Sequence, residues 1–456
     1  MAGVAAASTL ASCIPSPPNV TRRTAQSTRS DKVQIVYQDW RTDWFPPMAQ
    51  RMLEKFHEAH PNIRVFYTLD PENVEEQMLV DMQAGTAPDV FAGCCSFFPI
   101  WAQKGYTLDL RPYVEADLAS DTIGDWDPVQ YRSFFNGDGH QFGLPKYHGA
   151  LALYFNIDLF DEYRVPYPNA DWDHQDYLSA MTRLTDDRNG DDKTDLWGSM
   201  IDISWERVQV HVNEFGGNFV DPKDPSRSLM AEAPAMDAME WLRARIWDDR
   251  VMPTSLDVNK MGTSQAFSAG RLAMVEDGSW ALKPILSTAK FRVGVVPFPK
   301  GPDRRATLAT TDGFGIFAGT RHPEAAWELM KFLISKDYGR AMAEAHLLQP
   351  ARFSLIDEWT KFIRSEYPKQ AAGMDIAAFA EGHQRGYSVI AETFSNMSDA
   401  RRIVYEAWDQ IFTLGRSGVD AMRAASKLVE DAQHGPKTGG TACSSASDGA
   451  ACGPRL

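Results

Sequence analysis

The order of strand-like and helix-like segments at the start of the chain constrains the fold more than any other feature. In sequence order, these segments are a strand at residues 32–37, a helix from residue 46, a strand at 62–69, a helix at about 71–84 and a strand entered at 88–91. Successive strands joined by helices need crossover connections, which predicts a parallel sheet covered by helices. Ligands bind such sheets at the carboxyl ends of the strands. We therefore expect the loops at 38–44 and 93–97 on one ligand-binding rim.

A second constraint is the segment 143–156, in which a polar start leads into an unbroken small and apolar run. The apolar run is typical of a strand buried on both faces, although its periodicity alone does not exclude a short helix. Lys146, Tyr147 and His148 precede it. Polar and aromatic groups at the mouth of a buried strand indicate a cleft between two sheets. A loop that simply leads into a core strand is the alternative.

The composition of the chain excludes some classes of function. A chain of 456 residues is long enough for two domains with complete cores. Its formal net charge of −15 argues against a nucleic-acid partner, because phosphate binding needs a basic face. The 13 tryptophans are numerous enough that some are expected to line a ligand cleft rather than a core. No apolar run is long enough to span a bilayer.

The cysteines and the N-terminus bear on export. None of Cys13, Cys94, Cys95, Cys443 and Cys452 has the spacing of a zinc site, so we expect no metal scaffold.

The Leu-Ala-Ser-Cys sequence that ends at Cys13 resembles a bacterial lipoprotein processing site, in which the cysteine is lipidated. An export signal requires a basic segment before the apolar run, and none stands there in this sequence. We therefore hypothesise that the true start lies upstream. A disordered Ala-rich terminus with an incidental cysteine is the alternative.

Several short motifs together resemble the extracellular solute-binding proteins of bacterial ABC importers, in the carbohydrate-binding group that includes maltose-binding protein. In chain order, the motifs are Gly-Thr-Ala-Pro-Asp-Val at 85–90, Gly-Leu-Pro at 143–145 leading to Leu-Tyr-Phe-Asn at 153–156, Phe-Ser-Ala-Gly-Arg-Leu-Ala-Met at 267–274 leading to Gly-Ser-Trp at 278–280, Thr-Asp-Gly-Phe-Gly-Ile at 311–316, Pro-Glu-Ala-Ala-Trp at 323–327 and Pro-Ala-Arg at 350–352. Each motif is weak alone, whereas their order and spacing are fairly specific. The resemblance covers about residues 32–434.

The resemblance implies an α/β, periplasmic-binding-protein-like fold. It has two lobes with mainly parallel sheets flanked by helices, a hinge between them, and the C-terminal helices on lobe 2. The expected boundaries are 1–31 for a lipoprotein signal remnant and tether, 32–146 with 298–346 for lobe 1, 147–297 with 347–434 for lobe 2, and 435–456 for a disordered tail. A mono- or oligosaccharide would be held in the interlobe cleft and delivered to the transmembrane subunits of an ABC permease. The protein would be a monomer, exported to the periplasm or the outer face of the cytoplasmic membrane and attached there by its lipid alone.

A sugar offers apolar ring faces and a rim of hydroxyl groups. Its site therefore needs aromatic surfaces together with charged or polar hydrogen-bonding partners. By resemblance, Trp280 matches a stacking tryptophan, and Asp277 beside it fits a loop at a strand end. The resemblance also suggests Trp205 as an aromatic platform, with Glu206 next to it, and Arg352 as a sugar contact. As alternatives, Trp280 would be a core residue and Trp205 would pack at a helix start.

Further candidates follow from topology. They are Asp39 and Trp40 after the first strand, Tyr147 at the first crossing between the lobes, and Asp312 at the second. Asp43 and Trp44 are alternatives to Asp39 and Trp40. Cys95 and Ser96 occupy a loop where the resembled family commonly places polar contacts. Cys94 and Cys95 are either two small buried residues or a vicinal disulfide.

An acidic loop raises the question of calcium. Asp187, Asn189, Asp191 and Asp195 stand at positions 1, 3, 5 and 9 of a calcium-loop pattern. The pattern lacks its glycine at position 6 and its glutamate at position 12, where Gly198 stands. We therefore expect an acidic turn and no cofactor, with calcium as the alternative.

Motifs of catalysis are missing from the sequence, which contains no Walker loop, no HExxH and no GxSxG. We therefore expect a binding protein and not an enzyme. The alternatives are a secreted carbohydrate-active enzyme and a binding protein for a glycerol-phosphate-like or other non-sugar solute.

Overall fold

The structure is a computed structural model that describes residues 32–95 and 97–434. Cys13, Ser96 and residues 435–456 lie outside the described part of the chain. The strands are β1 (Val33–Asp39), β2 (Ile63–Leu69), β3 (Val90–Gly93), β4 (Leu144–Pro145), β5 (Leu151–Asn156), β6 (Val220–Asp221), β7 (Asp224–Ser228), β8 (Met274–Gly278), β9 (Val293–Val296), β10 (Thr307–Leu308), β11 (Gly313–Ile316) and β12 (Ser388–Val389).

Helices surround the sheets. They are α1 (Phe45–Ala59), α2 (Val74–Ala84), α3 (Phe97–Gln103), α4 (Arg111–Asp117), α5 (Ser120–Gly124), α6 (Pro128–Arg132), α7 (Ile157–Tyr163), α8 (His174–Leu184), α9 (Trp205–Glu214), α10 (Ala233–Trp247), α11 (Thr263–Ser268), α12 (Leu282–Thr288), α13 (Pro323–Leu333), α14 (Lys336–His346), α15 (Ile356–Glu366), α16 (Ala378–Arg385), α17 (Met397–Trp408) and α18 (Ala421–His434). Among the described residues, no helix combines the length and the apolar character needed to cross a bilayer.

The first sheet has the strand order β2-β1-β3-β11-β4. β1 runs parallel to β2 and β3, which confirms the prediction from the alternation at the start of the chain. β11 pairs antiparallel with β3 and with β4, so the sheet is mixed. β11 and β4 arrive from distant parts of the chain, and no helical crossover to a neighbouring strand dictates their direction.

The second sheet has the order β8-β5-β9, and both pairings are antiparallel. The expectation of mainly parallel sheets is therefore wrong for this sheet. β8 and β9 run parallel to each other on opposite sides of β5, and α12 lies between them in sequence. The helix α12 thus joins two strands that do not pair with each other.

β5 is the buried strand predicted from the apolar run, and all six of its residues are buried. Its alternate side chains point to opposite faces of the sheet. Leu153 and Phe155 pack in a core shared with α8, α9, α10, α17 and α18. Ala152 and Tyr154 pack in a core shared with α11, α12, α15 and α16. The C-terminal helices therefore pack on the second sheet, as the resemblance implied.

The cores of the two sheets meet where the chain passes from one sheet to the other. Leu308 packs in a core of the second sheet, because β10 pairs with β12 and contacts β5. Leu347 packs in another core of the second sheet, whereas Leu348 and Ala351 pack in the core of the first.

Three chain segments cross side by side between the sheets. Tyr147 forms an antiparallel bridge with Pro350, and Ala150 forms one with Ala309. The fully buried Gln130 joins two of the segments, because its side-chain amide donates to the carbonyl oxygens of Tyr147 at 2.8 Å and Thr310 at 2.7 Å. These segments connect the two sheets and are hydrogen-bonded to one another.

Residues 197–200 run beside β8 without forming a regular strand. Trp197 forms an isolated bridge with Leu272, and the carbonyl oxygen of Gly198 accepts a hydrogen bond from the amide of Met274 at 3.0 Å. Gly198 also lies against the backbone of Met181 in α8, where an added Cβ would come within 2.5 Å. The C-terminal region contains the short strand β12 in addition to its helices.

Candidate functional site

A cavity of about 300 Å³ opens between the two sheets. The first sheet and its adjoining loops contribute Cys95, Tyr147, Thr311 and Asp312. The opposite wall consists of Leu151, Glu206, Arg207, Trp280, Leu308 and Ala391, with Ala309 and Thr310 at the crossing. The volume and the mixture of apolar surface with a few polar groups are typical of a small-molecule site.

The pairing of β11 with β3 and β4 assembles the first wall. Gly313 at the start of β11 faces Gly93 at the end of β3 and Pro145 at the end of β4. Because these pairs are antiparallel, the residues before β11 meet the residues after β3 and β4. This register brings together Asp312, Cys95 and Tyr147, and three of the sequence candidates therefore line one cavity.

Trp280 lies in the opposite wall, in the single turn that follows β8. Its indole lies against two glycines: an added Cβ would come within 2.4 Å of the ring at Gly278 and within 3.0 Å at Gly149. The side chain is partly buried and contacts the cores of both sheets. The absence of side chains at Gly278 and Gly149 therefore lets the indole lie flat against the crossing segments and face the cavity.

Arg207, which sequence reasoning missed, lies at the start of α9 and lines the cavity. Its Nη2 donates to the Asp277 carboxylate at 2.8 Å, and its Nη1 donates to Asp202 at 3.0 Å. Its Cζ is 5.7 Å from the centroid of the Trp280 ring. Its position next to Glu206 in the sequence is the feature that could have identified Arg207 as a candidate. Glu206 also lines the cavity and pairs with Arg401 at 3.2 Å.

Asp277 lies behind this wall and is not among the residues that line the cavity. Its carboxylate is buried and accepts hydrogen bonds at 2.8 Å from Thr263 Oγ1, Ser264 Oγ and the Gly278 amide, in addition to Arg207. All of these partners belong to the protein. Asp277 therefore holds Arg207 in place rather than offering a free oxygen to a ligand.

Asp312 is the acidic group of the first wall. Burial raises the pKa of its carboxyl to about 6, although the nearby charge of Lys146 and hydrogen bonds from the side chains of Thr310 and Tyr147 act in the opposite direction. Its protonation state therefore changes close to neutral pH. Such a group can accept hydrogen bonds as a carboxylate or donate one when protonated.

Asp39 and Trp40 lie behind the first wall. Asp39 is fully buried and accepts hydrogen bonds from the Lys146 ammonium and the Tyr37 hydroxyl. Lys146 Nζ is 3.2 Å from the centroid of the Trp40 ring, which also contacts Tyr147 edge to face at 5.6 Å. Burial lowers the pKa of Lys146, but Asp39 favours its charged form. Asp39 and Trp40 thus support Tyr147 and do not reach the cavity themselves.

Two further candidates lie away from the cavity. Trp205 is fully buried, donates from Nε1 to the Glu392 carbonyl oxygen at 2.9 Å, and packs against Phe219. Arg352 donates to the carbonyl oxygens of Thr122 at 2.7 Å and Ile334 at 3.0 Å, and its guanidinium lies over Trp126. Both side chains therefore have partners within the protein, and neither is among the residues that line the cavity.

The acidic loop uses its oxygens to hold its own turn. The Asp187 carboxylate accepts hydrogen bonds from the amides of Gly190 at 2.8 Å and Asp192 at 2.8 Å. Asn189 and Asp191 likewise accept from nearby backbone amides, and Asp195 makes no such side-chain bond among those described. In the described part of the chain, one group has metal-ligating side chains within 4.8 Å of one another, namely His174, His211 and Glu214, and it is separate from this loop.

That buried group is an ion-pair cluster behind the second sheet. His211 Nε2 lies 2.7 Å from Glu276, its Nδ1 lies 3.1 Å from Glu214, and His174 Nε2 is also 3.1 Å from Glu214. Burial alone would lower the pKa of His211, but the charges and hydrogen bonds of Glu276 and Glu214 raise it to about 10. The imidazolium therefore stabilises two buried carboxylates.

Comparison with known proteins identifies the family. Residues 39–340 match the profile of the bacterial extracellular solute-binding proteins. A binding protein of Brucella abortus is 24% identical over 300 residues, which cover 64% of this chain and 69% of the relative. The maltodextrin-binding protein MdxE of Bacillus subtilis is 24% identical over 264 residues, which cover 56% of this chain and 59% of the relative.

Solved structures show the same fold. An ABC substrate-binding protein of Listeria monocytogenes in complex with cycloalternan superposes with a TM-score of 0.76 at 21% identity, covering 88% of this chain and 99% of the other. A maltose/maltodextrin-binding domain of Bdellovibrio bacteriovorus bound to maltotriose superposes with a TM-score of 0.69 at 18% identity, covering 88% and 100%. The periplasmic-binding-protein-like α/β fold is thus confirmed. Because the family profile matches most of the chain, this protein belongs to the bacterial extracellular solute-binding proteins.

Proposed function

We propose that this protein binds a mono- or oligosaccharide in the cavity between its two sheets and delivers it to the permease of an ABC importer. The observation that supports this most is the composition of the cavity. The Trp280 indole lies in one wall beside Arg207 and Glu206, and Asp312 lies in the wall opposite. An apolar ring face and several charged hydrogen-bonding groups thus surround a single space.

This combination suits a sugar in particular. The faces of a pyranose ring carry C–H groups, which pack on an indole, while its hydroxyl groups both donate and accept hydrogen bonds. Carboxylates and guanidinium groups form the stronger, charge-assisted bonds to such hydroxyls. A strongly anionic solute is disfavoured, because Arg207 is already paired with Asp277 and Asp202. The cycloalternan and maltotriose bound to the two solved neighbours support a sugar as the ligand.

Ligand capture would require movement of the two halves about the crossing segments. A ligand that contacts both walls stabilises the closed arrangement by the difference between its affinities for the closed and open forms. Tyr147, Asp312 and Trp280 contact the cavity from different sides, so a ligand between them would bridge the two halves. The closed complex would then be the form that the permease recognises.

Export and attachment to the membrane are part of the proposed function. The extracellular family and a related Streptomyces antibioticus lipoprotein, 26% identical over 294 residues, support export of this chain. We propose that Cys13 is the lipidated residue, that the protein acts as a monomer without a cofactor, and that it releases its ligand unchanged. Retention of the protein in the membrane fraction, lost on Cys13→Ser substitution, would test the anchor.

Calorimetric titration with a panel of sugars tests the binding proposal. The panel should include cycloalternan, maltotriose, mannotriose and tagatose, which occupy related structures. We expect saturable heat from at least one sugar, and chromatography should recover that sugar intact. Trp280→Leu should weaken its binding at least about tenfold, whereas Trp205→Phe should preserve binding while lowering stability. Heat from peptides or polyamines alone would reject a sugar as the ligand, and product formation would favour the enzyme.

A further inference from the structure

Two adjacent cysteines lie at the cavity, and one of them, Cys95, lines it. Cys94 and Cys95 directly follow β3, and both are partly buried. Cys95 lines the cavity, and its carbonyl oxygen accepts a hydrogen bond from Thr311 Oγ1 at 3.3 Å. The function proposed above uses the aromatic and charged groups of the cavity but gives these two thiols no role.

The backbone at this point brings the two sulfur atoms together. Neighbouring side chains in an extended strand point to opposite faces. Cys95, however, has a left-handed backbone with a φ of 55°, which is uncommon for a residue other than glycine. The turn directs both side chains to one side, and the Sγ atoms lie 2.7 Å apart. This separation is shorter than an ordinary non-bonded contact between two sulfur atoms.

We infer that Cys94 and Cys95 are a redox-active pair that forms a vicinal disulfide in the exported protein, and that the oxidised pair is the form of the cavity wall that binds ligand. The part that concerns ligand affinity rests on the proposed sugar-binding function. The formation of the bond does not, because it depends only on the two cysteines and on an oxidising surrounding. Disulfides form and persist outside the cytoplasm, where this family acts.

The chemistry is an ordinary thiol–disulfide exchange with an oxidised dithiol protein or a small-molecule disulfide. The Cys95 sulfur, reached from the cavity, attacks the oxidant as a thiolate and forms a mixed disulfide. Cys94 then attacks Cys95 and releases the second thiol of the oxidant. In total the pair loses two protons and two electrons, and the oxidant disulfide becomes two thiols. The hydrogen bond with Cys95 and burial both raise the pKa of Cys94, which is why Cys94 is assigned the second attack and not the first.

Oxidation would change the wall in two ways that matter for a ligand. It removes two S–H groups and leaves a polarizable, apolar surface beside Tyr147 and Asp312. It also closes a small ring across the peptide between the two cysteines, which fixes the turn that Thr311 contacts. A more rigid wall loses less conformational freedom when a ligand binds, so the oxidised protein should bind more tightly.

Peptide mapping tests the bond itself. Protein exported by its host should be unfolded in the presence of an alkylating reagent without reductant, digested, and analysed by mass spectrometry. We expect the peptide that contains residues 94 and 95 to remain unlabelled, and to gain two labels when the protein is first reduced. Full labelling without prior reduction would overturn the inference. The Cys443→Ser/Cys452→Ser variant should give the same result, because the tail cysteines take no part.

Ligand titration tests the role of the bond. Reduction should weaken the affinity of the unmodified protein for its sugar about tenfold, and reoxidation should restore it. The Cys94→Ser/Cys95→Ser variant should show no response to reductant, with its fold checked by thermal unfolding. Equal affinity in both redox states would overturn the assigned role even if the bond forms. Failure of every sugar to bind either form, with the bond present in the peptide map, would instead reject sugar binding and leave the disulfide assigned.

Discussion

The guanidinium of Arg207 is held by the buried carboxylate of Asp277 through a hydrogen bond of 2.8 Å. Arg207 lines the cavity, whereas Asp277 does not. We therefore expect Asp277 to affect ligand binding through the position of Arg207, without contacting the ligand itself.

Substitution of Asp277 should affect both stability and binding. Asp277→Asn leaves a guanidinium without its buried partner, and we expect unfolding free energy to fall by ~3 kcal/mol in urea denaturation. Sugar affinity should weaken about tenfold, because Arg207 is no longer fixed beside Trp280. The matched control is Asp202→Asn, which removes the more exposed partner of Arg207 and should cost less than ~1 kcal/mol. Equal effects of the two substitutions would contradict the assigned role of Asp277.

Substitution of Gly278 should displace the indole. An added Cβ at this position would come within 2.4 Å of the Trp280 ring. We expect Gly278→Ala to shift the intrinsic tryptophan fluorescence, to weaken sugar binding, and to lower stability by ~1–3 kcal/mol through overpacking. Gly418→Ala is the control, because no atom lies within 4 Å of its added Cβ. Unchanged fluorescence and affinity in Gly278→Ala would show that Trp280 does not depend on this close approach.

Ligand affinity should depend on pH through Asp312. The pKa of its carboxyl is raised to about 6 by burial, so the carboxylate form prevails above that pH and the neutral form below it. A carboxylate is the stronger hydrogen-bond acceptor for hydroxyl groups, and we expect sugar affinity to fall as the pH is lowered through about 6. Calorimetry at a series of pH values should show this fall in the unmodified protein. Asp312→Asn should bind more weakly and without that pH dependence; a dependence that persists would point to another group.

His211 should make stability depend on pH in the alkaline range. Its pKa is raised from 6.5 to about 10 in the folded protein, so the folded state holds this proton more tightly than the unfolded state. Its stabilising contribution is complete below the unfolded pKa of 6.5 and is lost as the pH rises through about 10. The difference in unfolding free energy between the unmodified protein and His211→Gln should therefore shrink over this interval. A constant difference across it would contradict the assigned charge of His211.

Local sequence patterns predicted the parallel strands of the first sheet and the buried central strand of the second. The apolar runs and the helices between them gave β1, β2 and β3 in their parallel arrangement, and the apolar run ending at Asn156 gave β5. These predictions succeeded because each depends on residues that are close in sequence. The antiparallel direction of β11 could not be predicted in the same way, because its partners come from distant parts of the chain.

The candidate site was predicted only in part for the same reason. Trp280, Tyr147, Asp312 and Cys95 lie at strand ends, and the register of the sheets brings them to one cavity. Trp205 and Arg352 are of suitable chemical types, but their partners in the core come from residues far away in the sequence. The role of Arg207 likewise depends on Asp277, 70 positions later in the chain.

The bridges at Tyr147 and Ala150, with the amide of Gln130 between two of the strands that cross, have a mechanical consequence. Side-by-side segments that are hydrogen-bonded to one another resist sliding and twisting more than they resist bending together. We therefore expect any rotation of one half against the other to be confined to a single axis through this junction. Trp280 would then meet Asp312 in the same relative position at each closure, whichever ligand is bound.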